Sequence, residues 1–476
     1  MQPADTLPRL DASAAPEVGG PAVERVLQFG TGALLRGLPD ALVADANAAG
    51  WDGRVVMVGS TGSGRASALD AQDGLFTLVV RGLRDGAPVD EAHVIGSVSR
   101  ALSAAADWAA VLDVARSPDL ELVVSNTTEV GIADDAGDRR DLDPPRSFPG
   151  KLAAILAERA EAFEYEGGDL VVLPCELIEG NGDRLRQIVE AHAERWGLGP
   201  RFAAWLRQSV TFANTLVDRI VPGAPDDAEA LADRLGYTDD LLTVAEPYRL
   251  WAIEGASDLP FADVEGVVLT DDLTPYRERK VRILNGGHTA TVPTALLCGL
   301  DTVAEAMEDE IVGPFVRRVI LDEIVPSLDI DAAMAEAFAR DVIDRFANPF
   351  VRHALRDITF QQTAKLGVRV APSVRRFVEK RSEVPSLLTF GIAAFLEATR
   401  PGAVDGLSTD DAASDWRSRW AGVDADDPDA LRAFVRAALV LWDLDGVASV
   451  PEAVGDALVA IRRDGCRAAL TRRLDR

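Results

Sequence analysis

Cysteine and histidine are both scarce in this chain of 476 residues, which contains three cysteines and four histidines. Cys175, Cys298 and Cys466 are far apart in sequence and form no CxxC pair, so the pattern indicates neither a disulfide framework nor a zinc cluster. Four histidines are too few for a multi-histidine metal site to be expected. The sequence therefore predicts a protein without a metal in a reducing compartment, which we take to be the cytoplasm.

Long apolar runs and basic charge are also in short supply. No apolar run reaches about 18 residues, so no segment is predicted to span a membrane. The 49 basic residues stand against 77 acidic ones, and the net charge of −28 disfavours nucleic acid and anionic membranes as partners. A local cluster of Arg and Lys can still bind a small anionic ligand.

The chain is too long for one ordinary core, so its length predicts two domains. Residues 1–21 lack the basic and apolar regions of a signal peptide, and we expect them to form a solvated tail. We place the first domain at residues 22–272 and the second at residues 273–476, because the pattern changes there from mixed to almost entirely helical.

Unbroken apolar runs alternate with helical patterns in the first domain. The predicted strands lie at 26–29, 55–58, 76–83, 120–128 and 169–177. Strands of this kind, separated by helices, indicate a parallel sheet that is covered on both faces. The predicted fold class is therefore α/β plus all-α, with a doubly wound, Rossmann-type domain followed by a mostly helical one.

A glycine turn directly follows the first predicted strand. Glycine allows a tight turn and a close approach of the backbone to a dinucleotide pyrophosphate. The G-x-G-x-x-G pattern is incomplete because Leu35 replaces the third glycine, and Pro39 falls early in the expected helix. Its place on the first strand still favours a coenzyme loop over a plain turn. The expected coenzyme contacts in this turn are Phe29, Gly30, Thr31, Gly32, Leu35 and Arg36.

The second predicted strand does not end in the acid that would bind the adenosine ribose of NAD. Ser60 follows it and Arg65 comes soon after, so the pattern leaves NAD and NADP open, with a flexible turn as an equal alternative. A later strand ends at Asn126, Thr127 and Glu129, where contacts with the nicotinamide ribose are expected. A simple turn closed by these side chains is the alternative.

The segment KVRILNGGH (280–288) places Lys280, Asn285 and His288 in an otherwise apolar stretch. On an α-helix with 100° per residue, the three side chains fall within about 140° of one another. A surface lysine beside an amide and an imidazole with local hydrogen bonds is the alternative interpretation.

Several motifs, in order over about residues 24–400, resemble the polyol-specific long-chain dehydrogenases, the mannitol dehydrogenase family. They are VLQFGTGALLRG, GSTGSGRA, SNTTEVGI, SFPGKL, LPCELIEGNGD, FANTLVDRIVPG and KVRILNGGHTATVPTALLCGLDTVAEAM. The resemblance implies a metal-independent, NAD-linked secondary alcohol dehydrogenase that is monomeric or weakly associated. It also implies that the Rossmann-type domain binds NAD and that the helical domain binds the substrate.

The family signature K-x-x-x-x-N-x-x-H corresponds here to Lys280, Asn285 and His288. By the resemblance, Lys280 is the general base that takes the hydroxyl proton as hydride leaves the carbon. Asn285 and His288 hold the substrate oxygen as charge develops on it. A partly buried amine suits this work near neutral pH.

The resemblance also implies residues that bind the substrate. Asn214 and Lys365 match such positions, and Arg356 is a further candidate whose spacing to Lys365 is one residue longer than in the mannitol enzymes. Arg277 stands where those enzymes carry an acid, and we predict that it binds a substrate carboxylate. An ion pair with Asp271 or Asp272 is the alternative for this arginine.

The motifs most resemble those of family members that interconvert D-tagaturonate and D-altronate, so the expected partner is a small sugar acid. A dehydrogenase of fructuronate, mannitol or arabinitol is an alternative within the family. A non-catalytic dinucleotide sensor is a second alternative, but a sensor has no need of a proton acceptor.

Overall fold

The computed structural model describes residues 7–16, 18, 23–59, 64–128, 130–404 and 412–475. The chain forms two compact units. Unit 1 comprises the described residues of Met1–Arg81 and Val89–Leu273, and unit 2 those of Gly82–Pro88 and Thr274–Arg476. Among the helices of the described ranges, none is long and apolar enough to cross a bilayer.

Within the described ranges, the strands belong to three sheets. The largest has the order β5-β2-β1-β6-β7-β8, and each of its adjacent pairs is parallel. The two smaller sheets have the orders β10-β3-β4 and β12-β11-β9. In chain order the strands are β1 (Val23–Phe29), β2 (Gly53–Gly59), β3 (Phe76–Arg84), β4 (Ala87–Ile95), β5 (Val98–Ser103), β6 (Leu122–Ser125), β7 (Leu170–Pro174), β8 (Val210–Phe212), β9 (Asn214–Asp218), β10 (Thr243–Ala245), β11 (Leu250–Glu254) and β12 (Val267–Thr270).

Helices cover both faces of the parallel sheet. Leu27 of β1 faces a core shared with α4 and α5, whereas Val26 faces a second core shared with α2 and α3. Strands buried on both faces need apolar residues at every position, which explains the unbroken runs in the sequence. The helices of unit 1 are α1 (Ala33–Gly37), α2 (Pro39–Ala48), α3 (Arg65–Ala71), α4 (Trp108–Arg116), α5 (Phe148–Ala162), α6 (Asn181–Arg195), α7 (Gly199–Ser209) and α8 (Ala228–Leu235).

One predicted strand lies outside this sheet. Residues 76–83 form β3, as expected, but β3 pairs in parallel with β10 and neighbours β4. The edge position beside β2 is taken instead by β5. Local apolar patterning predicts a strand but does not determine its partner, which depends on contacts far away in the sequence.

The N-terminal segment differs from the solvated tail that we expected over residues 1–21. Within the described part, the backbone N–H of Leu10 donates to the Thr238 carbonyl at 2.8 Å. Leu10 and Ala15 are buried against Leu75. Leu10 and Ala15 alone were too weak a signal in the sequence for this packing to be predicted.

Unit 2 is almost entirely helical, as predicted, and three stretches within it have π-helical geometry. Residues 412–420 form a helix within 402–430, where the sequence pattern indicated a loop. The helical segments are α9 (Thr274–Arg279), π1 (Lys280–Gly286), α10 (Gly287–Leu297), α11 (Val303–Glu308), α12 (Val312–Arg318), π2 (Val319–Ile324), α13 (Val325–Ser327), α14 (Ala332–Phe346), α15 (Leu355–Ile358), α16 (Gln362–Lys365), π3 (Leu366–Val370), α17 (Ala371–Arg381), α18 (Ser386–Ala398), α19 (Ala412–Trp420), α20 (Pro428–Leu439), a 3₁₀ turn (Val440–Trp442), α21 (Val450–Asp464) and α22 (Cys466–Leu474).

Candidate coenzyme and substrate sites

The two glycines in the turn after β1, Gly30 and Gly32, differ in backbone conformation and surroundings. Gly30 has φ +123°, and a Cβ atom placed on it would lie 2.7 Å from Leu35 Cδ1 and 2.9 Å from the Asn126 carbonyl oxygen. Only glycine fits there without strain. Gly32 has an ordinary φ of −71°, and among the described residues, its two chain neighbours aside, no heavy atom lies within 4 Å of a Cβ placed on it. The backbone at Gly32 therefore borders open space, as the approach of a pyrophosphate requires.

The helix that follows this turn is broken. The helix α1 ends at Gly37, and α2 begins with Pro39 at its first position, where proline is well tolerated. The Arg36 guanidinium donates to the Thr31 carbonyl and, at 3.1 Å, to Thr243 Oγ1. Leu35 and Arg36 are both buried, so their side chains support the turn. Their role as coenzyme contacts stays a prediction.

A cavity of about 290 Å³ opens at the carboxyl ends of β1 and β6. Its lining includes Phe29, Gly30 and Thr127, three of the predicted coenzyme contacts, together with Lys151. Phe29 is fixed by the Phe148 ring, whose centroid lies 5.1 Å away. Ligands of doubly wound sheets bind at this end of the strands.

The turn after β6 is held by a buried carboxylate that the sequence analysis did not select. Glu176 Oε1 accepts hydrogen bonds from the Thr127 backbone N–H and hydroxyl, both at 2.9 Å, and Oε2 accepts from Ser125 Oγ at 3.0 Å. Burial raises the pKa of Glu176, and the hydrogen bonds from Thr127 and Ser125 oppose this shift. The Asn126 amide donates to the Cys175 carbonyl at 3.0 Å. These hydrogen bonds tie the turn to the segment after β7 and are not the local ones of an Asx or Ser/Thr turn, and contact of Asn126 and Thr127 with the nicotinamide ribose stays a prediction.

Two predicted coenzyme contacts, Ser60 and Glu129, lie outside the described residues. Arg65, the residue on which the choice between NAD and NADP depends, is exposed at the start of α3. Its positive charge contributes to a lowered pKa of Arg36, although burial of Arg36 is the larger cause.

Asn214, predicted to bind the substrate, has a structural use in unit 1. Its side-chain oxygen accepts from the Asp183 backbone N–H at 3.1 Å, and its amide donates to the Asp183 carboxylate at 3.0 Å. A third contact joins it to Glu254 at 3.4 Å. Asn214 thus anchors the first turn of α6, and its contact with substrate stays a prediction.

In unit 2, Lys280 and Asn285 lie on the π-helix π1 and both are half-buried. A π-helix links residue i to residue i+5, so a spacing of five places these two side chains on adjacent turns of the same side. His288 follows three residues later, just inside α10. The prediction of a helix is confirmed, but the α-helical wheel understated how closely Lys280 and Asn285 align.

His288 is half-buried between two rings. It stacks on Phe346 with centroids 3.8 Å apart, and the edge of His353 approaches at 5.0 Å. Burial lowers the pKa of His288 well below its ordinary value, and the positive charges of Arg345, Arg369 and Lys365 lower it further, as does His353 whenever it is protonated. The imidazole is therefore neutral near pH 7, with one nitrogen that donates and one that accepts.

The other predicted substrate residues of unit 2 are in different surroundings. Lys365, at the end of α16, donates to the Ile358 carbonyl at 3.0 Å and acts electrostatically on His288. Arg277 is half-buried on α9, three residues before Lys280. Arg356 is exposed on α15. Among these three, Lys365 is the residue whose charge acts on the imidazole.

Two domain families match the chain. The mannitol dehydrogenase Rossmann domain matches residues 24–261, and the mannitol dehydrogenase C-terminal domain matches residues 272–435. The chain belongs to the mannitol dehydrogenase family. The family and the fold class predicted from the sequence are thereby confirmed.

Curated relatives include altronate oxidoreductases. That of Bacillus subtilis (strain 168) is 43% identical over 382 residues, covering 78% of this chain and 79% of the relative. That of Shigella flexneri is 38% identical over 470 residues, covering 94% and 96% respectively. Both matches extend through the two units.

Two solved structures are similar over nearly all of the chain. A substrate-free D-sorbitol dehydrogenase superposes with a TM-score of 0.80 at 26% identity, covering 99% of this chain and all of the other. The Pseudomonas fluorescens mannitol 2-dehydrogenase, solved with NAD and D-mannitol, superposes with a TM-score of 0.66 at 23% identity, covering 98% of this chain and 100% of that enzyme. The latter similarity concerns the fold alone.

Proposed function

We propose that this protein is an altronate oxidoreductase, which interconverts D-tagaturonate and D-altronate with NAD(H). The observation that carries the proposal is the alignment of Lys280 and Asn285 on π1, next to a neutral His288. The relatives named altronate oxidoreductase, 38–43% identical to this chain, support the choice of substrate within the family.

NAD is the coenzyme of this proposal. The open space above Gly32 and the cavity beside Gly30 and Thr127 provide the room that a dinucleotide needs at the end of β1. The residues proposed to hold it are those of this turn together with the turn after β6. When bound, NAD accepts the hydride of the alcohol, and NADH returns it to the ketone.

Lys280 is the proposed general base. It takes the hydroxyl proton of altronate as the hydride leaves the same carbon, and it returns the proton to the oxygen of tagaturonate in the reverse direction. Asn285 and the N–H of His288 donate hydrogen bonds to this oxygen, which carries negative charge between the two states. Asn214, Lys365, Arg277 and Arg356 remain the proposed substrate contacts.

Sugar acid and coenzyme are the partners in this reaction, and we propose that it takes place in the cytoplasm on a monomer or weak homo-oligomer. Another sugar acid or polyol is the rival substrate. A non-catalytic dinucleotide sensor is the alternative from a different functional class. The placement of the Lys280 amine and the Asn285 amide on the same side of π1 argues against it.

A substrate panel tests the proposal. Purified protein is mixed with NADH or NADPH and with D-tagaturonate, D-fructuronate, D-fructose or D-tagatose, and absorbance at the nicotinamide band is followed. We expect the highest kcat/KM for D-tagaturonate with NADH. Lys280→Ala should lower kcat by about 10²–10⁴ because the base is lost.

Lys380→Ala is the matched control. Lys380 lies in the last turn of α17, forms an ion pair with Asp329 and has no part in the proposed chemistry. It should keep wild-type turnover. The KM for NADH and the melting temperature should change little in Lys280→Ala. Near wild-type turnover of Lys280→Ala would disprove the base, and a preference for another substrate would disprove the specificity.

A further inference from the structure

Arg369 is a half-buried arginine that has no ion pair or side-chain hydrogen bond with any described residue. It lies on π3, and burial lowers its pKa, with no acidic residue of the described ranges acting to offset the shift. Neighbouring arginines are different, since Arg282 and Arg376 both pair with Glu278. A partly desolvated guanidinium with five free donors is costly unless something binds it.

The position of Arg369 connects it with the proposed chemistry. Its backbone carbonyl packs against Gly286, the last residue of π1, where an added Cβ atom would lie 3.1 Å from that oxygen. Its charge is also one of those that lower the pKa of His288. Arg369 therefore belongs to the same surroundings as the lysine-asparagine-histidine set.

The charge around His288 is locally positive on a chain whose net charge is −28. Two of the cations there are engaged: the Lys365 ammonium donates to Ile358, and Arg345 acts on the nearby carboxyl of Asp341. Arg277, the anion ligand suggested by the sequence, also has an interaction partner within the structure. The guanidinium of Arg369 remains available.

We propose that Arg369 forms an anion subsite beside His288 and binds the terminal carboxylate of the sugar-acid substrate. The inference rests on the proposed function and extends it, since it names the residue that separates sugar acids from uncharged polyols and ketoses. The planar fork of arginine can grip both oxygens of a carboxylate, whereas lysine offers a single point charge.

The test compares a charged substrate with its neutral counterpart. D-tagatose differs from D-tagaturonate only in carrying a terminal CH₂OH group in place of the carboxylate. Arg369→Ala should raise KM for D-tagaturonate by about 10- to 100-fold. It should change kcat/KM for D-tagatose and KM for NADH by less than about twofold. Arg369→Lys should fall between the wild type and Arg369→Ala.

Two further variants serve as comparisons. Arg381→Ala removes an exposed arginine from the end of α17 and should leave both substrates unaffected. Arg277→Ala tests the residue suggested by the sequence. A selective loss on D-tagaturonate in Arg277→Ala, with none in Arg369→Ala, would assign the carboxylate to Arg277 and overturn the inference. Equal loss on both substrates in Arg369→Ala would assign it to the fold or to His288.

Direct binding separates this inference from the proposed function. Sugar acids (altronate, mannonate, gluconate and glucuronate) are titrated calorimetrically into the wild type and Arg369→Ala, each with NAD. If the wild type does not turn over D-tagaturonate but binds another of these acids through Arg369, the function fails and the subsite stands. If no sugar acid binds the wild type, or if the variant binds as tightly, the subsite does not exist.

Discussion

Glu176 is a buried side chain that is not among the residues lining the candidate coenzyme cavity but fixes a residue that is. Its two carboxylate oxygens fix Ser125 and Thr127, and Thr127 lines the cavity beside Gly30. A side chain that accepts three hydrogen bonds restricts the conformation of the turn. We infer that Glu176 is a positioning residue for the turn after β6.

Replacing Glu176 by glutamine should weaken coenzyme binding more than chemistry. The variant Glu176→Gln keeps the size of the side chain but replaces one carboxylate oxygen by an NH₂ group, which cannot accept a hydrogen bond from Thr127 or Ser125. We expect KM for NADH to rise about tenfold while kcat changes by less than about threefold, measured by steady-state kinetics. Glu190→Gln, which alters an exposed residue of α6, is the control. A fall in kcat with KM unchanged would assign Glu176 to the chemical step instead.

Some functional residues could be selected from the sequence, and others could not. Lys280, Asn285 and His288 were selected from their spacing and family signature alone. Glu176 was not, because its hydrogen bonds reach back some fifty positions along the chain, to Ser125 and Thr127. Nor could the position of Arg369 in the sequence indicate that this arginine has no acidic partner among the described residues, whereas Arg282 and Arg376 pair with Glu278.

At the scale of elements, the doubly wound sheet was predictable because burial on both faces leaves unbroken apolar runs. The third predicted strand still went to another sheet, since pairing is decided by distant partners. The π-helix π1 was not predictable either. Its local sequence suits an α-helix equally well, and π-helical stretches depend on packing while occurring often at functional sites.

The strand-to-helix turn between β1 and α1 offers a test at this scale. Gly30→Ala should destabilise the fold by roughly 1–3 kcal/mol, because alanine is strained at φ +123° and its Cβ would crowd Asn126. Gly32→Ala, at an ordinary φ, should cost less, about 0.5–1 kcal/mol, because Gly32 is the N-cap of α1 and alanine is a poorer N-cap residue than glycine. Urea unfolding measures both values.

Coenzyme binding by the same pair of variants locates the phosphates. If the pyrophosphate approaches the backbone at Gly32, the added methyl group of Gly32→Ala should raise Kd for NADH although the fold is intact. Wild-type affinity in this variant would show that the phosphates do not contact this turn. Gly30→Ala serves as the comparison, because we expect this variant to lose both affinity for NADH and free energy of unfolding.

At the scale of the whole molecule, buried carboxyl groups in both units make stability depend on pH. Burial raises the pKa of Asp40 in unit 1 and of Glu323 in unit 2 to about 7 each. Such a group binds its proton more tightly in the folded state than in the unfolded one. The stability that it contributes is complete below about pH 4 and is lost as the pH rises through about 7.

Buried histidines act in the opposite direction. Burial lowers the pKa of His192, His288 and His353, so the folded chain resists their protonation. Their contribution is present above the ordinary histidine pKa of about 6.5 and is lost as the pH falls. The two sets together predict a stability maximum between about pH 5 and 7, and the repulsion within a chain of net charge −28 strengthens the decline on the alkaline side.

Asp40→Asn isolates one of these groups. Asp40 is fully buried, and its Oδ2 accepts a hydrogen bond from the Gln28 amide at 3.2 Å. Asparagine has the shape of the protonated acid and cannot ionise. Between about pH 5 and 7 the free energy of unfolding of Asp40→Asn, minus that of the wild type, should therefore increase by about 1.4 kcal/mol per pH unit.

Urea unfolding of both proteins at several pH values measures this increase. The contributions of the other titrating groups cancel when the free energy of unfolding of the wild type is subtracted from that of the variant. Asp233→Asn, which neutralises an exposed carboxyl on α8, is the control for the change in net charge alone. A difference between Asp40→Asn and the wild type that stays constant with pH would mean that Asp40 keeps the same charge when the chain folds. Its burial would then be offset by the nearby guanidinium of Arg36, which already acts to lower its pKa.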